Sequence, residues 1–545
     1  MLKLGICLCV LACFVLIDRS ESIIYEPTWE SLDKRPLPDW FDFSKLGIFI
    51  HWGVFSAPSY GHSPAWGWYY WKIQKVPGWQ VFMEKNYRPD FTYADFAKDF
   101  TAEFFEPDDW ATLFKLSGAK YVVLTAKHHE GYCNWHTNVS SWNWNSVDVG
   151  PHRDLVGDLA RSIRAKTNLH FGLYHSLYEW FNPLYLRDKA NNYQTNDFVM
   201  EKTLPELYEI VKAYKPELIW SDGQWEAPSW YWNSTIFLAW LYNQSPVKDT
   251  VIVNDRWGND TTCKHGGYLN CDDRFNPGEV QTRKWENAMT LNRDSWSWRR
   301  DTDIGQFLTT KEMLSTFVKT ISCGGNMLMN VGPTKGGVIN PILQERLMEM
   351  GTWLGVNGGA VYGSKPWRVP KDAMNSNVWY TCQPDREVHE KAKETTRNLR
   401  KSLLENEQQN EKRKEKITAE EKQWQKHFRE KRELGDWMAK EDIVEIDVEE
   451  MAKVYFEKNP KQESSASVPI FAFVLDWPKS NILLLSAPTN GTDTSRVVML
   501  GSDEVDIPLD WAPLEPTGIA IQMPRVPISR LPHHLAWVIS LYGFY

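Results

Sequence analysis

LGIFIHWG, residues 46–53, is an unbroken apolar run that stops on a histidine. It is too short for a stable helix and does not alternate, as expected of a strand buried on both faces. The same unit recurs as YVVLTAKHHEG (121–131), LHFGLYHS (169–176), ELIWSDG (217–223), VIVNDRWG (251–258) and NMLMNVGP (326–333). Each run ends abruptly in His, Asp, Asn or Glu. Between them, residues 108–118, 153–166, 198–214 and 309–321 carry apolar residues at helical spacing. Buried strands alternating with helices imply an α/β fold with a parallel sheet covered on its faces. An open doubly wound sheet and a (β/α)8 barrel both fit this pattern. No GxGxxG follows the first strand, which weakens the dinucleotide-binding version. In a barrel the polar residues at so many strand ends converge on one rim, where active sites are found, which favours the barrel. A TIM-like (β/α)8-type barrel over residues 23–365 is therefore the reading.

After residue 365 the strands follow one another without helices: NVWYTC (377–382), PIFAFVLDW (469–477), NILLLSAP (481–488), SRVVML (495–500), GIAIQM (518–523) and LAWVISLYGF (535–544). Residues 366–545 read as an all-β sandwich. A segment dense in Lys, Arg, Glu and Gln, residues 384–466, interrupts it. Its apolar positions are sparse (Leu399, Leu403, Ile417, Trp424, Phe428) and no heptad is sustained. The expectation is a solvated charged helical hairpin or a disordered insertion, against an oligomerisation arm that leaves a homo-oligomer open.

The 545 residues allow two to four domains at roughly 150 residues each. A net charge of -9 argues against nucleic acid as a partner. The 29 Trp, 22 Tyr and 24 Phe suggest a large core or a cleft for rings or sugars. Residues 1–22 have the pattern of a signal peptide: Lys3, then the apolar run 6–17, then Ser20 and Ser22. That run is too short to span a bilayer and no later run reaches the length, so no membrane span is expected and the route is secretory. Of the five cysteines beyond it, Cys263 and Cys271 are close in sequence and form the expected disulfide. Asn138, Asn233, Asn259 and Asn490 begin glycosylation sequons.

Asp222 closes a strand, is followed by Gly223, and lies between Trp220 and Trp225. That is the place of a nucleophilic carboxylate on a barrel rim, or of a helix N-cap. His51, His128, His129 and His175 also sit at strand ends. They could ligate zinc or be satisfied within the core, but without HExxH a ring of hydrogen-bonding groups around a polyol is the better reading. A partner acid for glycoside hydrolysis could be in the pair Asp272–Asp273 or be Glu286, which follows Lys284.

The stretches GIFIHWGVFS, YVVLTAKHHEG, SWNWNSVDVGPHRDLVG, GLYHSLYEW, LIWSDGQWE, VIVNDRWG, KWE and NVGPTKGG resemble the animal lysosomal and secreted α-L-fucosidases of glycoside hydrolase family 29, over roughly residues 25–380 and again from about 468. The resemblance implies a barrel followed by a β-sandwich, retaining hydrolysis of terminal α-L-fucosides on glycans through a covalent intermediate, no metal or organic cofactor, and a lysosomal or extracellular place of action. Core α-1,6 fucose of N-glycans is among the substrates it suggests. Carried over by position, Asp222 resembles the nucleophile. His51, His128, His129 and Tyr174 resemble residues holding the sugar hydroxyls, Trp66 and Trp220 its aromatic walls, and Arg256 a holder of the sugar or the acid. Asp273, favoured slightly, and Glu286 both resemble proposed acid/base residues. Three features depart from the family: Ala65 where many relatives have Glu, Ala288 where they have Cys, and the insertion 384–466. The first two motivate an alternative, a fucose-binding relative with impaired catalysis.

Overall fold

The computed structural model describes residues 23–139, 142–429 and 468–545, apart from short breaks at 490, 492–493, 502–505, 526–530 and 532–533. The expected signal peptide, residues 1–22, lies outside the described residues. Seven parallel strands form the first sheet: β1 (Leu46–Ile50), β2 (Tyr121–Lys127), β3 (His170–Ser176), β4 (Leu218–Asp222), β5 (Ile252–Val253), β6 (Glu286–Thr290) and β7 (Asn326–Val331), in the order β5-β4-β3-β2-β1-β7-β6. The strand runs read from the sequence are these strands, with β6 added.

The eighth stave is irregular. Val253 O accepts from Gly267 N (3.1 Å) and Tyr268 N (3.3 Å). Leu269 N donates to Lys284 O, and Glu286 N returns a bond to Leu269 O. Residues 267–269 thereby join β5 to β6, and a TIM-like barrel results. Alternation along the strands separates an inner cluster from an outer one. Phe49, Tyr121, Val123, Tyr174, Leu218, Trp220, Ile252, Tyr268, Ala288 and Leu328 pack together inside. Ile48, Ile50, Val122, Leu124, Leu173, Ile219 and Met327 join the core shared with the helices. Gly47 makes room for this filling, since a Cβ there would lie 2.4 Å from the Tyr121 ring.

The C-terminal part has a six-stranded antiparallel sheet, β13-β12-β16-β10-β9-β8, and a three-stranded sheet, β11-β15-β14. Its strands are β8 (Lys365–Lys371), β9 (Val378–Cys382), β10 (Ile470–Val474), β11 (Ile482–Leu485), β12 (Arg496–Met499), β13 (Ile507–Pro508), β14 (Trp511–Pro513), β15 (Ile519–Gln522) and β16 (Trp537–Tyr542). Ile470, Ala472 and Val474 meet Leu483, Leu485, Ile519 and Ile521 in the sandwich core. Phe471 and Phe473, on the opposite face, join the barrel's core. Trp353 Nε1 donates to Ala536 O across the seam (3.0 Å). β8 carries Pro366 and Pro370 and lies at a sheet edge, where a missing N–H costs nothing.

The start of the charged segment is helical, and one stripe of it is packed rather than solvated. A helix spans Arg386–Arg429, and its first turns are packed. Ala392 and Leu399 are buried, and Thr396 and Leu403 approach Gly358 and Gly355. These four positions follow helical spacing and form one narrow stripe against the helix Pro341–Asn357 and the turn after it. Residues 430–466 of the segment lie outside the described residues.

Candidate active site

A cavity of about 310 Å³ opens at the C-terminal ends of the barrel strands. Of the residues singled out from the sequence, His51, Trp66, His128, Trp220, Asp222, Arg256 and Asp273 line it. Asp222 is the last residue of β4, and Gly223 follows in the left-handed region (φ +85°). A Cβ at Gly223 would lie 2.5 Å from the Tyr178 ring, so this turn requires glycine.

One guanidinium joins two carboxylates. Arg256 Nη1 donates to Asp222 Oδ1 (3.1 Å) and Nη2 to Asp273 Oδ1 (2.9 Å). The Arg256 guanidinium lies 4.6 Å over the Trp220 ring, so its plane is fixed from below. Asp222 Oδ2 accepts from the Tyr174 hydroxyl (2.8 Å). Burial pushes the Asp222 carboxyl above its ordinary range; Arg256 acts against that shift and Asp273 with it. Asp273 is half-exposed at the mouth, on a loop pinned by the Cys263–Cys271 disulfide. Asp255 Oδ2 accepts from Cys263 N (2.8 Å) and Cys271 N (3.1 Å), so both ends of the disulfide loop hang on one carboxylate beside Arg256.

The histidines are neutral. Burial depresses His51 to about 3 and His128 to about 4, and holds His129 well below the usual range. Asn330 donates its amide to Trp296 O and so turns Oδ1 to His51 Nδ1 (2.7 Å). His51 therefore carries its proton on Nδ1, leaving Nε2 as an acceptor. Ser176 Oγ donates to Tyr178 O and receives His129 Nδ1–H at 2.7 Å, which leaves His129 Nε2 as an acceptor 3.5 Å from Asp222 Oδ2. Among the described residues, no three His, Cys, Asp or Glu side chains are gathered to hold a metal.

Three expected site residues stand off the cavity. His129 and Tyr174 are behind Asp222 and touch the carboxylate rather than the open space. Glu286 begins β6, deep in the barrel. It accepts from Tyr121 OH (2.7 Å), Tyr268 OH (3.1 Å) and Trp220 Nε1 (3.1 Å), and reaches the cavity only through Trp220. Burial raises its carboxyl to about 7. His175 points to the other side of β3, where its Nε2 faces Glu206 Oε2 at 3.2 Å. Glu206 also accepts from Lys127 and Lys202, in a buried network between sheet and helices.

Ala65 lines the cavity and Ala288 fills the barrel interior. Asn138 and Asn259 are exposed, Asn233 is half-buried, and Asn490 is outside the described residues. Sequence reasoning missed Trp296, Gln224 and Phe49 as lining residues. Phe49 was legible as a neighbour of His51, since residues two apart on a strand share a face. Trp296 lies in a loop with no periodic signal.

The α-L-fucosidase family model matches residues 14–359 and the α-L-fucosidase C-terminal domain model residues 449–542. The chain is 46% identical to an α-L-fucosidase of Branchiostoma floridae over 520 residues, 95% of this chain and 96% of that one. It is 57% identical to the tissue α-L-fucosidase of Rattus norvegicus over 359 residues, which are 66% of this chain and 77% of the rat protein. A solved α-fucosidase of Thermotoga maritima, in complex with a mechanism-based inhibitor, superposes with a TM-score of 0.68 at 25% identity, covering 95% of this chain and 99% of that one. The chain belongs to the α-L-fucosidases, glycoside hydrolase family 29.

Proposed function

We propose that this α-L-fucosidase is a retaining exo-glycosidase that removes terminal α-L-fucose, core α-1,6 fucose of N-glycans included, from glycoproteins and other glycoconjugates, in the lysosome or after secretion. The observation that carries the reading is the single guanidinium of Arg256 between Asp222 and Asp273. One fork holding both carboxylates favours the about 5–5.5 Å spacing of retaining enzymes over the roughly 6.5–9.5 Å of inverting ones.

Asp222 attacks the anomeric carbon as a carboxylate, and the bond to the leaving oxygen breaks as Asp273 gives that oxygen its proton. Asp273 then takes a proton from water, the water oxygen bonds to the anomeric carbon, and Asp222 is released. Tyr174 and Arg256 hold the two Asp222 oxygens in place. The acceptor nitrogen of His51 takes a hydrogen bond from a sugar hydroxyl, and Trp66 and Trp220 meet the apolar faces of the ring. The alternative of binding without turnover gains no support, because both carboxylates and their bridge are in place.

Hydrolysis of an aryl α-L-fucoside, followed by proton NMR of the first-formed sugar, tests this. α-Fucose is expected first. β-Fucose first would refute retention and the nucleophilic role of Asp222. An Asp222→Ala variant that folds and keeps wild-type turnover would make Asp222 a structural residue.

A further inference from the structure

A second cavity, of about 640 Å³, opens on the loops after β2 and β3. The same loops carry His128, which lines the first cavity, and Trp180, which packs behind Trp66 of that lining. Trp142, Trp144 and Phe181 line the apolar side of this second space, and Glu130 and Glu201 its polar side. A continuous series of ring contacts connects the two cavities. Trp66, in the first, meets Trp180 at 5.4 Å between centroids, and Trp180 stacks on Trp68 at 5.7 Å. Trp68 meets Phe181 at 5.2 Å, Phe181 meets Trp144 at 5.9 Å, and Trp144 stacks on Trp142 at 4.9 Å. Trp142 ends the band and is 55% exposed.

Glu130 supplies a second, independent observation. It is 2% exposed, and its Oε2 faces Nδ1 of His128 at 3.3 Å, so a polar contact as well as the ring series joins the lining of the two cavities. Desolvation raises its carboxyl to about 8, so that below this pH it holds a proton to donate. Flat indole faces for sugar C–H surfaces, beside carboxyls for hydroxyls, are the chemistry of a carbohydrate subsite.

We infer that this cavity binds the sugar residues of the leaving group, so that the enzyme holds a fucosylated oligosaccharide along the aromatic band while its terminal fucose sits at Asp222. The inference rests on the fucosidase reading. It makes the rim loops after β2 and β3 the determinant of preference for long glycans over small fucosides.

The test compares Trp142→Ala with wild type on an aryl α-L-fucoside and on whichever of the α-1,2-, α-1,3- or α-1,6-fucosylated oligosaccharides the wild type cleaves fastest. The expected result is a loss of about tenfold in kcat/KM for the oligosaccharide, carried by KM, with the aryl fucoside unchanged. Trp142→Phe should restore most of the loss. The aryl fucoside also reports whether the variant is folded. Equal losses on both substrates, or no loss on the oligosaccharide, would overturn the subsite. Failure of the wild type to hydrolyse any fucoside would instead overturn the fucosidase reading on which it stands.

Discussion

Replacing Glu286 with Gln separates the two carboxyls that compete for the role of acid. The Glu286 carboxyl takes three hydrogen bonds inside the barrel, from Tyr121, Tyr268 and Trp220, and burial lifts it to about 7. Below that pH it is a neutral group with one donor and one acceptor side, which an amide of the same shape reproduces. The substitution then exchanges neutral hydrogen bonds for neutral hydrogen bonds, each worth about 1 kcal/mol net. Its route to the reaction is through Trp220 alone. A small shift of that ring should cost kcat/KM less than about tenfold, or about 1.4 kcal/mol. Asp273→Ala removes the group at the mouth that Arg256 holds beside Asp222. Loss of a general acid costs about 10²–10⁴. The assay is kcat/KM for both variants on a fucosylated glycan and on dinitrophenyl α-L-fucoside, whose leaving group needs no proton, with and without azide. The Asp273 variant should recover on the activated substrate and respond to azide; the Glu286 variant should do neither. Collapse of Glu286→Gln on the glycan, with recovery on the dinitrophenyl fucoside and azide rescue, would refute the assignment.

Stability should peak at mildly acid pH. His51, His128 and His175 are held at about 3 to 4 in the fold, so the unfolded chain binds more protons between there and 6.5, and stability is lost as pH falls through that window. Glu130 and Glu286 are raised to about 8 and 7, so the folded chain binds more protons above 4.5, and stability is lost as pH rises. Between 4.5 and 6.5 the three histidines outweigh the two glutamates, so the unfolding temperature should be highest near 6.5, and Glu130→Gln should flatten the alkaline decline; an unchanged slope would contradict the burial argument. Cys271→Ser opens the short loop 263–271, which anchors the chain two residues before Asp273, and should lower stability by about 2–3 kcal/mol and reduce kcat/KM, read by denaturant unfolding and fucoside hydrolysis. Leu399→Ala empties a buried position of the charged helix, and should cost about 2–5 kcal/mol with kcat unchanged. A neutral result would mean that the helix is not part of the core.

The strand runs ending on His51, His128, Asp222 and Arg256 were legible because a buried parallel strand is a continuous apolar word, and its C-terminal end must face the rim. Which residues of β1 and β4 look inward was decided by the closed sheet, because runs that are apolar throughout mark neither face. What sequence alone could not decide was depth. Asp273 and Glu286 are both acidic and lie close together in the chain, yet one sits on a disulfide-pinned loop at the mouth and the other at the start of a strand, inside the barrel. That difference comes from how residues 267–269 close the sheet between β5 and β6, a long-range pairing with no local signal. The charged segment shows the same division. Its composition reads as solvated, and the close approach of Gly118, Gly355 and Gly358 turns one narrow stripe into a buried contact. Residue type and period set the elements and the chemistry available. Tertiary closure decided which carboxyl meets solvent, because burial and hydrogen-bond partners belong to the assembled barrel and not to any stretch of chain.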